Sequence, residues 1–339
     1  MKKIFFILFF INISFAGSFR TSPTKPVEIT AGRSVYKWEI KKLILENSNK
    51  IQPSINYDNS FLRAEMMIYD DSIKKGFAYG NVYYEDRKEN IIMRAEEGVY
   101  DENTKEITLS KNPKIILKKD GTIATGNKIK IYPEKDTILL IGNVKISNTN
   151  IIVKSDIAEI NQSRNTFVVK NNVEVIEKSS KLYADRLYLD TKKKNQESYT
   201  ATGNVKIVDE KEGYAIYGNR LDYFKEEGYT RITGGYSNET RPFIDFKEKN
   251  AKASSIVMEK FDKEEKANLL GDVVIIQGKR TAKAMWGEYF IKRKKVALTG
   301  NPVLEENNSR FQSYKINVDI ENETMNMMGK GSGIYQLKN

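Results

Sequence analysis

The amino-acid sequence predicts an elongated all-β protein built from stacked repeats. Two observations carry this prediction: a short asparagine-centred turn returns about every 31 residues, and the segments beside it alternate apolar with polar residues. A fixed period of this size is typical of repeat architectures, in which each unit buries its apolar face against its neighbours only. No long linker interrupts the series, so we expect one repeat domain over residues 27–337.

The turn is most often a glycine–asparagine pair. Gly adopts positive φ freely and Asn tolerates it, so the pair favours a sharp change of chain direction. A degenerate first copy covers residues 27–51, and the longer interval after Gly235 marks an insertion. We expect the loops 192–196 and 246–250 to bulge from the repeat. The later copies are centred on Asn81, Asn112, Asn143, Asn172, Asn204, Gly235, Asp272, Asn301 and Lys330.

Apolar residues flank the turn at fixed offsets, three and five positions before it and one and three after it. Residues that are two positions apart in a strand lie on the same face, so both members of each pair point the same way. About twelve residues before the turn, a further weak strand often ends in tyrosine, as at Tyr69, Tyr100, Tyr223 and Tyr289. We therefore expect two or three short strands per repeat, with an interior that includes Leu109, Ile138, Leu140, Val144, Ile146, Phe167, Val169, Leu269, Ile275 and Leu298.

The N-terminus has the pattern of an export signal. Lys2 and Lys3 precede a mainly apolar run from Ile4 to Phe15, and Ala16 is a suitable cleavage position. The sequence thus predicts a signal peptide at residues 1–16, a short segment at 17–26 and a periplasmic protein. An uncleaved membrane anchor is the alternative, although the run is shorter than the roughly 20 residues of a comfortable span.

The composition limits the chemistry of the chain. It has no Cys and no His, which removes disulfides, thiol ligands and the commonest general base. Its acidic pairs, such as Glu226-Glu227, fall mostly in predicted turns, and neighbours in a strand point to opposite faces. We expect no enzyme activity, no metal and no cofactor.

The net charge is +11, which suggests an acidic partner such as an anionic lipid headgroup. A basic surface without a specific partner is the alternative reading. The basic residues are spread over all repeats, and export argues against nucleic acid as a partner.

These features together resemble the OstA-like, or LptA-type, family of periplasmic lipopolysaccharide-transport proteins. The clearest copies of the motif are Ile138-Leu-Leu-Ile-Gly-Asn-Val-Lys-Ile146 and Thr200-Ala-Thr-Gly-Asn-Val-Lys-Ile207. The resemblance covers roughly residues 27–337. The chain is longer than the usual bridge component of the family and lacks the C-terminal barrel of its outer-membrane member.

The resemblance implies an open, twisted β-jellyroll of two facing antiparallel sheets. Its apolar groove would bind the acyl chains of lipopolysaccharide, or of a related anionic amphiphile, and the ten interior residues named above would line that groove. Family members in the inner and outer membranes would be its partners. From the sequence itself we expect head-to-tail self-association, because an open solenoid leaves unpaired strand edges at both ends.

Three alternatives remain open at this point. The same apolar residues could fill a closed core with no groove. A parallel β-helix that binds or cleaves a polysaccharide would also repeat, usually at a shorter interval. A structural or adhesive surface protein would need no hydrophobic lumen.

Overall fold

The computed structural model describes residues 28–57, 59–119, 121–161, 163–190, 198–307, 309–329 and 331–334. The expected signal peptide, residues 17–26 and the loop 192–196 lie outside the described residues. The described chain forms two compact units, and the boundary along the chain falls between Asn171 and Asn172. A single domain over 27–337 stays a prediction.

Almost all regular structure is β-strand, and each strand pair given by the structure is antiparallel. The all-β, antiparallel prediction is thereby confirmed, and the parallel β-helix alternative is wrong. Four one-turn 3₁₀ corners complete the elements: Trp38–Ile40, Pro133–Lys135, Lys247–Lys249 and Ile291–Arg293. Within the described residues, no helix has the length and apolar composition needed to span a membrane.

Fourteen strands precede residue 162. They are β1 (Glu28–Thr30), β2 (Arg33–Lys37), β3 (Lys42–Glu46), β4 (Ser54–Tyr57), β5 (Ser60–Arg63), β6 (Met66–Asp70), β7 (Lys75–Asp86), β8 (Ile91–Asp101), β9 (Glu106–Ser110), β10 (Lys114–Leu117), β11 (Ile123–Thr125), β12 (Lys128–Tyr132), β13 (Thr137–Ser147) and β14 (Ile151–Asn161).

Sixteen strands follow, the first of which contains the boundary between the units. They are β15 (Thr166–Glu177), β16 (Ser180–Asp190), β17 (Ser198–Asp209), β18 (Tyr214–Phe224), β19 (Tyr229–Thr233), β20 (Phe243–Phe246), β21 (Ala251–Ser254), β22 (Val257–Phe261), β23 (Lys266–Gln277), β24 (Arg280–Phe290), β25 (Lys295–Thr299), β26 (Val303–Glu306), β27 (Ser309–Gln312), β28 (Lys315–Asp319), β29 (Thr324–Met328) and β30 (Ser332–Ile334).

Each long strand pairs with different short strands along its two halves. We call the two sets of paired strands that result half-sheets. The end of β8 at 97–101 pairs with β9, whereas its beginning at 91–94 pairs with β10. Strand β24 divides in the same way between β25 and β26. Each unit therefore contains two half-sheets joined through its long strands, and a single chain segment contributes to both.

The glycine–asparagine motif lies where a long strand crosses between half-sheets. Gly142 and Asn143 both have positive φ, at 73° and 48°, and they interrupt the register between Ile141 and Val144. The motif is thus a bulge that bends the strand, and the expectation of a turn that ends it is wrong here. The reason is that the partner β14 continues alongside β13 on both sides of the bulge, so the chain does not reverse.

A side chain from the adjacent chain segment packs over each bulge glycine. In the first unit these neighbours are polar, and the bulge asparagine binds them: Asn81 Nδ2 donates to Glu65 Oε1 at 2.6 Å. Near the C-terminus the neighbour is aromatic, since the Trp286 ring covers Gly300. A Cβ at Gly300 would lie 2.8 Å from the ring atom Cε3 and 2.7 Å from Met285 Cβ.

The chain reverses its direction instead at polar four-residue turns, in which an Asp or Asn side chain caps the backbone. After β8, Asp101 Oδ1 accepts the backbone N–H groups of Asn103 at 2.9 Å and Thr104 at 3.3 Å. Asn161 Oδ1 accepts the N–H of Arg164 at 2.8 Å after β14. These side-chain acceptors satisfy backbone donors that a tight hairpin leaves unpaired.

We predict that Gly300→Ala destabilises the second unit by about 3 kcal/mol, because the alanine would keep a positive φ and also overlap Met285 and Trp286. Gly278→Ala is the matched control in the same unit, with φ of 58° and no atom within 4 Å of a new Cβ, and should cost about 1 kcal/mol. Urea unfolding followed by Trp286 emission, with Trp38 replaced by Phe, measures both. Equal losses would contradict the packing role of the bulge glycine.

A candidate apolar binding cavity

The interior of each unit consists of rows of side chains that run across the strands. In the first unit one row contains Leu109 and Leu140, with Ile129 between them, and an adjacent row contains Ile138. In the second unit Leu269 and Leu298 share a row, separated by Gly287. The predicted interior residues Val144, Ile146 and Ile275 lie on the other half-sheets, while Phe167 and Val169 lie on β15.

All ten predicted residues are buried, which confirms that the alternation identifies the interior. They do not form one cavity. Leu109 lines the large cavity of the first unit and Leu269 a small one in the second. The other eight, from Ile138 to Leu298, line neither of these two cavities. Whether any of the ten binds lipid stays a prediction.

The large cavity measures about 790 Å³ and lies between the half-sheets of the first unit. One wall contains Leu43, Met67, Ala78 and Leu109 from β3, β6, β7 and β9. Across from it lie Ile55, Leu62, Val82, Tyr84 and Met93 from β4, β5, β7 and β8. A volume of this size with apolar walls is in the range of ligand sites, roughly 300–1,000 Å³.

The cavity exists because the inward residues at this place are small. Gly76, Ala78 and Gly98 occupy neighbouring positions in two rows, where the same rows farther along the chain carry Ile129, Ile131 and Leu140. A methyl group added at Gly98 would only touch Leu109, Val82 and Ala78, at 3.5–3.9 Å. The branched residues farther along fill the corresponding space with their own side chains.

A few polar groups mark the edge of this cavity. The Tyr69 hydroxyl donates to Glu102 Oε2 at 2.7 Å, and this hydrogen bond raises the tyrosine pKa. The Tyr84 hydroxyl lies 3.1 Å from Ser60 Oγ, and burial raises the pKa of Tyr84 well above its ordinary value. Both phenols are therefore neutral near pH 7, and no carboxylate or amine lines the wall within the described chain.

Most of the cavity wall escaped the sequence prediction. Leu43, Ile55, Leu62 and Met67 lie in the degenerate first copies of the repeat, where the offsets from the turn are irregular. A usable signal was present in Gly76, Ala78 and Gly98, because small residues at inward positions leave room that large ones would fill. Of the tyrosines that end the weak strand, Tyr69 and Tyr100 line this cavity, and Tyr289 lines the small cavity of the second unit.

We predict that Gly98→Ala stabilises the first unit by about 0.4–1 kcal/mol, because a β-strand residue with room for a methyl group loses less entropy on folding than glycine does. Gly287→Ala is the matched control at the corresponding row position of the second unit. There a Cβ would lie 3.2 Å from Leu298 and 3.3 Å from Leu269, so we expect no gain. Thermal unfolding of both variants measures the change in stability. A gain in stability for Gly287→Ala alone would contradict the assignment of free space to the first unit.

Comparison with known proteins finds a family model that is similar to part of the chain. Residues 152–260 match the family model described as LptA/(LptD N-terminal domain) LPS transport protein; this segment runs from β14 to β22. A search of curated proteins finds no significant match. Among solved structures, the chain is similar to LptH, the LptA-homologous periplasmic component of the lipopolysaccharide transport device of Pseudomonas aeruginosa. The match has 15% identity over 55% of this chain and 95% of that one, with a TM-score of 0.18 that supports no structural argument.

The OstA-like resemblance of the repeats is thus confirmed by a match that spans seven complete strands, β15 to β21, and parts of β14 and β22. Residues 152–260 are thus similar to the LptA/LptD N-terminal family of lipopolysaccharide-transport proteins.

Proposed function

We propose that the first unit holds the hydrocarbon chains of lipopolysaccharide, or of a related anionic amphiphile, during transport across the periplasm. The observation that carries the proposal is the cavity of about 790 Å³ whose walls are almost wholly apolar. The family match over residues 152–260 supplies the cargo class. The ten residues predicted from the sequence are buried in the interiors of the two units and are proposed as further parts of the lipid path.

The energetic case rests on hydration. Each methylene exposed to water costs about 0.8 kcal/mol, so an acyl chain of about a dozen carbons costs on the order of 10 kcal/mol to move through water. An apolar cavity removes that cost while the chain is inside it. A surface adhesin, the remaining alternative from the sequence, has no need of such a lumen.

The protein acts by binding, and we propose that it has no catalytic residue. The family model that residues 152–260 match describes transport proteins. The absence of His and Cys removes the side chains that most often work as general bases and nucleophiles near neutral pH.

We also propose head-to-tail association, with family members in the inner and outer membranes as further partners and the periplasm as the compartment. Within the described chain, β2 pairs only with β3, and β29 pairs only with β28. Such edge strands present unpaired N–H and C=O groups to another chain. Trp38 beside β2 is 81% exposed, and Met327 and Met328 on β29 are about half exposed.

A photo-crosslinking residue in place of Leu62 should give a lipopolysaccharide adduct in cells, because Leu62 lines the large cavity. The same residue in place of the exposed Lys145 should give none. The same photo-crosslinking residue in place of Leu140 reports whether the lipid path extends into the part of the interior that side chains fill. Equal labelling at Leu62 and Lys145 would contradict the proposed cavity function.

Met327→Lys combined with Met328→Lys should abolish concentration-dependent self-association, since two charges on an edge strand oppose strand addition. Ile276→Lys is the control: Ile276 is 44% exposed, close to the 45% of Met327, but lies on β23, which has partners on both sides. Sedimentation velocity over a range of concentrations measures both. Normal assembly of the double variant would exclude pairing through β29.

A further inference from the structure

The large cavity of the first unit has a floor made of two parallel rows of side chains. The inner row crosses β3, β6, β7, β8 and β9 and consists of Leu45, Met67, Ala78, Gly98 and Leu109. The outer row crosses the same strands and consists of Leu43, Tyr69, Gly76, Tyr100 and Ile107. All of these residues line the cavity. Positions two residues apart on a strand are separated by about 7 Å, which is enough for one hydrocarbon chain over each row.

The facing half-sheet contributes a row of the same extent. It crosses β1, β4, β5, β7 and β8 with Ile29, Ile55, Leu62, Tyr84 and Met93, which also line the cavity. Neighbouring strands lie about 4.8 Å apart, so the cavity, which crosses five strands on each wall, is about 19 Å long. A volume of about 790 Å³ divided by that length gives a mean cross-section of about 42 Å².

Large side chains close one end of the cavity. Beyond β9 the two floor rows continue with Ile129 and Ile131, and beyond β8 the facing row continues with Ile115. These three isoleucines are at most 3% exposed and do not line the cavity. The opposite end lies beside β1, where Ile29 is 50% exposed. A hydrocarbon chain can therefore lie along the rows from β1 as far as β9, where the isoleucines stop it.

One glycine in each floor row keeps the space above that row open. A Cβ at Gly98 would lie no closer than 3.5 Å to its neighbours, and one at Gly76 no closer than 3.9 Å. Neither glycine has a left-handed backbone, so an L residue fits at both positions. The inner row is buried, whereas every residue of the outer row keeps some exposed surface. A second chain over the outer row would cover that surface.

Resting on the transport function proposed above, we propose that this cavity is a site for two acyl chains side by side. A methylene group takes up about the volume of a water molecule in the liquid, roughly 30 Å³, so about 790 Å³ holds about 26 methylenes. An extended carbon chain advances about 1.2 Å per bond, so a length of about 19 Å allows at most about 16 bonds.

A single extended chain of that volume is too long for the cavity, so the space divides between two chains of about 12–14 carbons, one over each floor row. Gly98 and Gly76 are the residues that set this capacity. A lipid with more chains inserts two of them at a time.

Native mass spectrometry of the full-length protein with myristate, a single saturated chain within the proposed length, counts the bound chains. The wild type should bind two. Gly98→Leu and Gly76→Leu should each bind one, because the leucine side chain interrupts one row, and the combined variant should bind none. Gly98→Ala and Gly76→Ala are the matched controls and should still bind two, because a single methyl group fits at both positions.

The length limit is tested on the wild type without any substitution. Isothermal titration calorimetry with saturated fatty acids from decanoate to stearate, each below its micelle concentration, measures the affinity. The affinity should rise about fourfold for each added methylene and stop rising near myristate, because the isoleucines close the cavity. A steady rise as far as stearate would contradict the closed end.

Circular dichroism and thermal unfolding verify that the leucine variants fold. Two myristates in either leucine variant, loss of both in a folded single variant, or fewer than two in the wild type would overturn the proposal. If an adduct at Leu62 still forms in cells, the transport function stands without the two-chain site. The predicted stoichiometry without that adduct would support the two-chain site and contradict the transport function.

Discussion

The structure depends on one backbone constraint, the left-handed conformation at the bulges of the long strands. Gly203 and Asn204, with φ of 74° and 46°, lie opposite the single residue Asn219 and shift the register with β18 by one residue. The strand bends there and continues in the second half-sheet. Without the bend, Thr200 to Asp209 would extend one flat sheet, and no space would be enclosed between two inner faces. The cavities of both units follow from this repeated bend.

The bulge explains which parts of the fold could be predicted. Alternation around Asn143 correctly identified Leu140 and Ile146 as interior, because side-chain direction along a strand depends only on local geometry. The sequence could not show that Gly142 bends a strand without ending it. Positive φ marks a change of direction, but reversal depends on whether the partner strand stops, which is a property of the pairing.

The cavity was harder to predict than the interior. Burial of Leu109 follows from its own position, whereas free volume beside it depends on Gly98 and on Leu62 in the opposite half-sheet. Sequence distance does not reveal which residues meet across the two half-sheets. The candidate residues were therefore correct as interior positions, while the wall of the cavity came largely from residues that the repeat pattern left out.

The two units show how one strand pattern supports different interiors. Gly98 and Gly287 hold the same place in their rows, yet the first adjoins open space and the second touches Leu269 and Leu298 closely. In the neighbouring row, Gly76 and Ile107 flank Tyr100 in the first unit, whereas Ala267 and Val296 flank Tyr289 in the second. Side-chain volume and polarity, which vary freely on a constant backbone, thus set what each unit can hold.

The aromatic cover over Gly300 has a spectroscopic consequence. The chain has only two tryptophans, Trp38 beside β2 in the first unit and Trp286 on the outer face of β24 in the second. Trp286 is 53% exposed and rests on the bulge, so its emission responds to any bending of that strand, while the 81% exposed Trp38 emits as a solvated indole. In a Trp38→Phe variant, intrinsic fluorescence therefore reports on the second unit alone, without any added label.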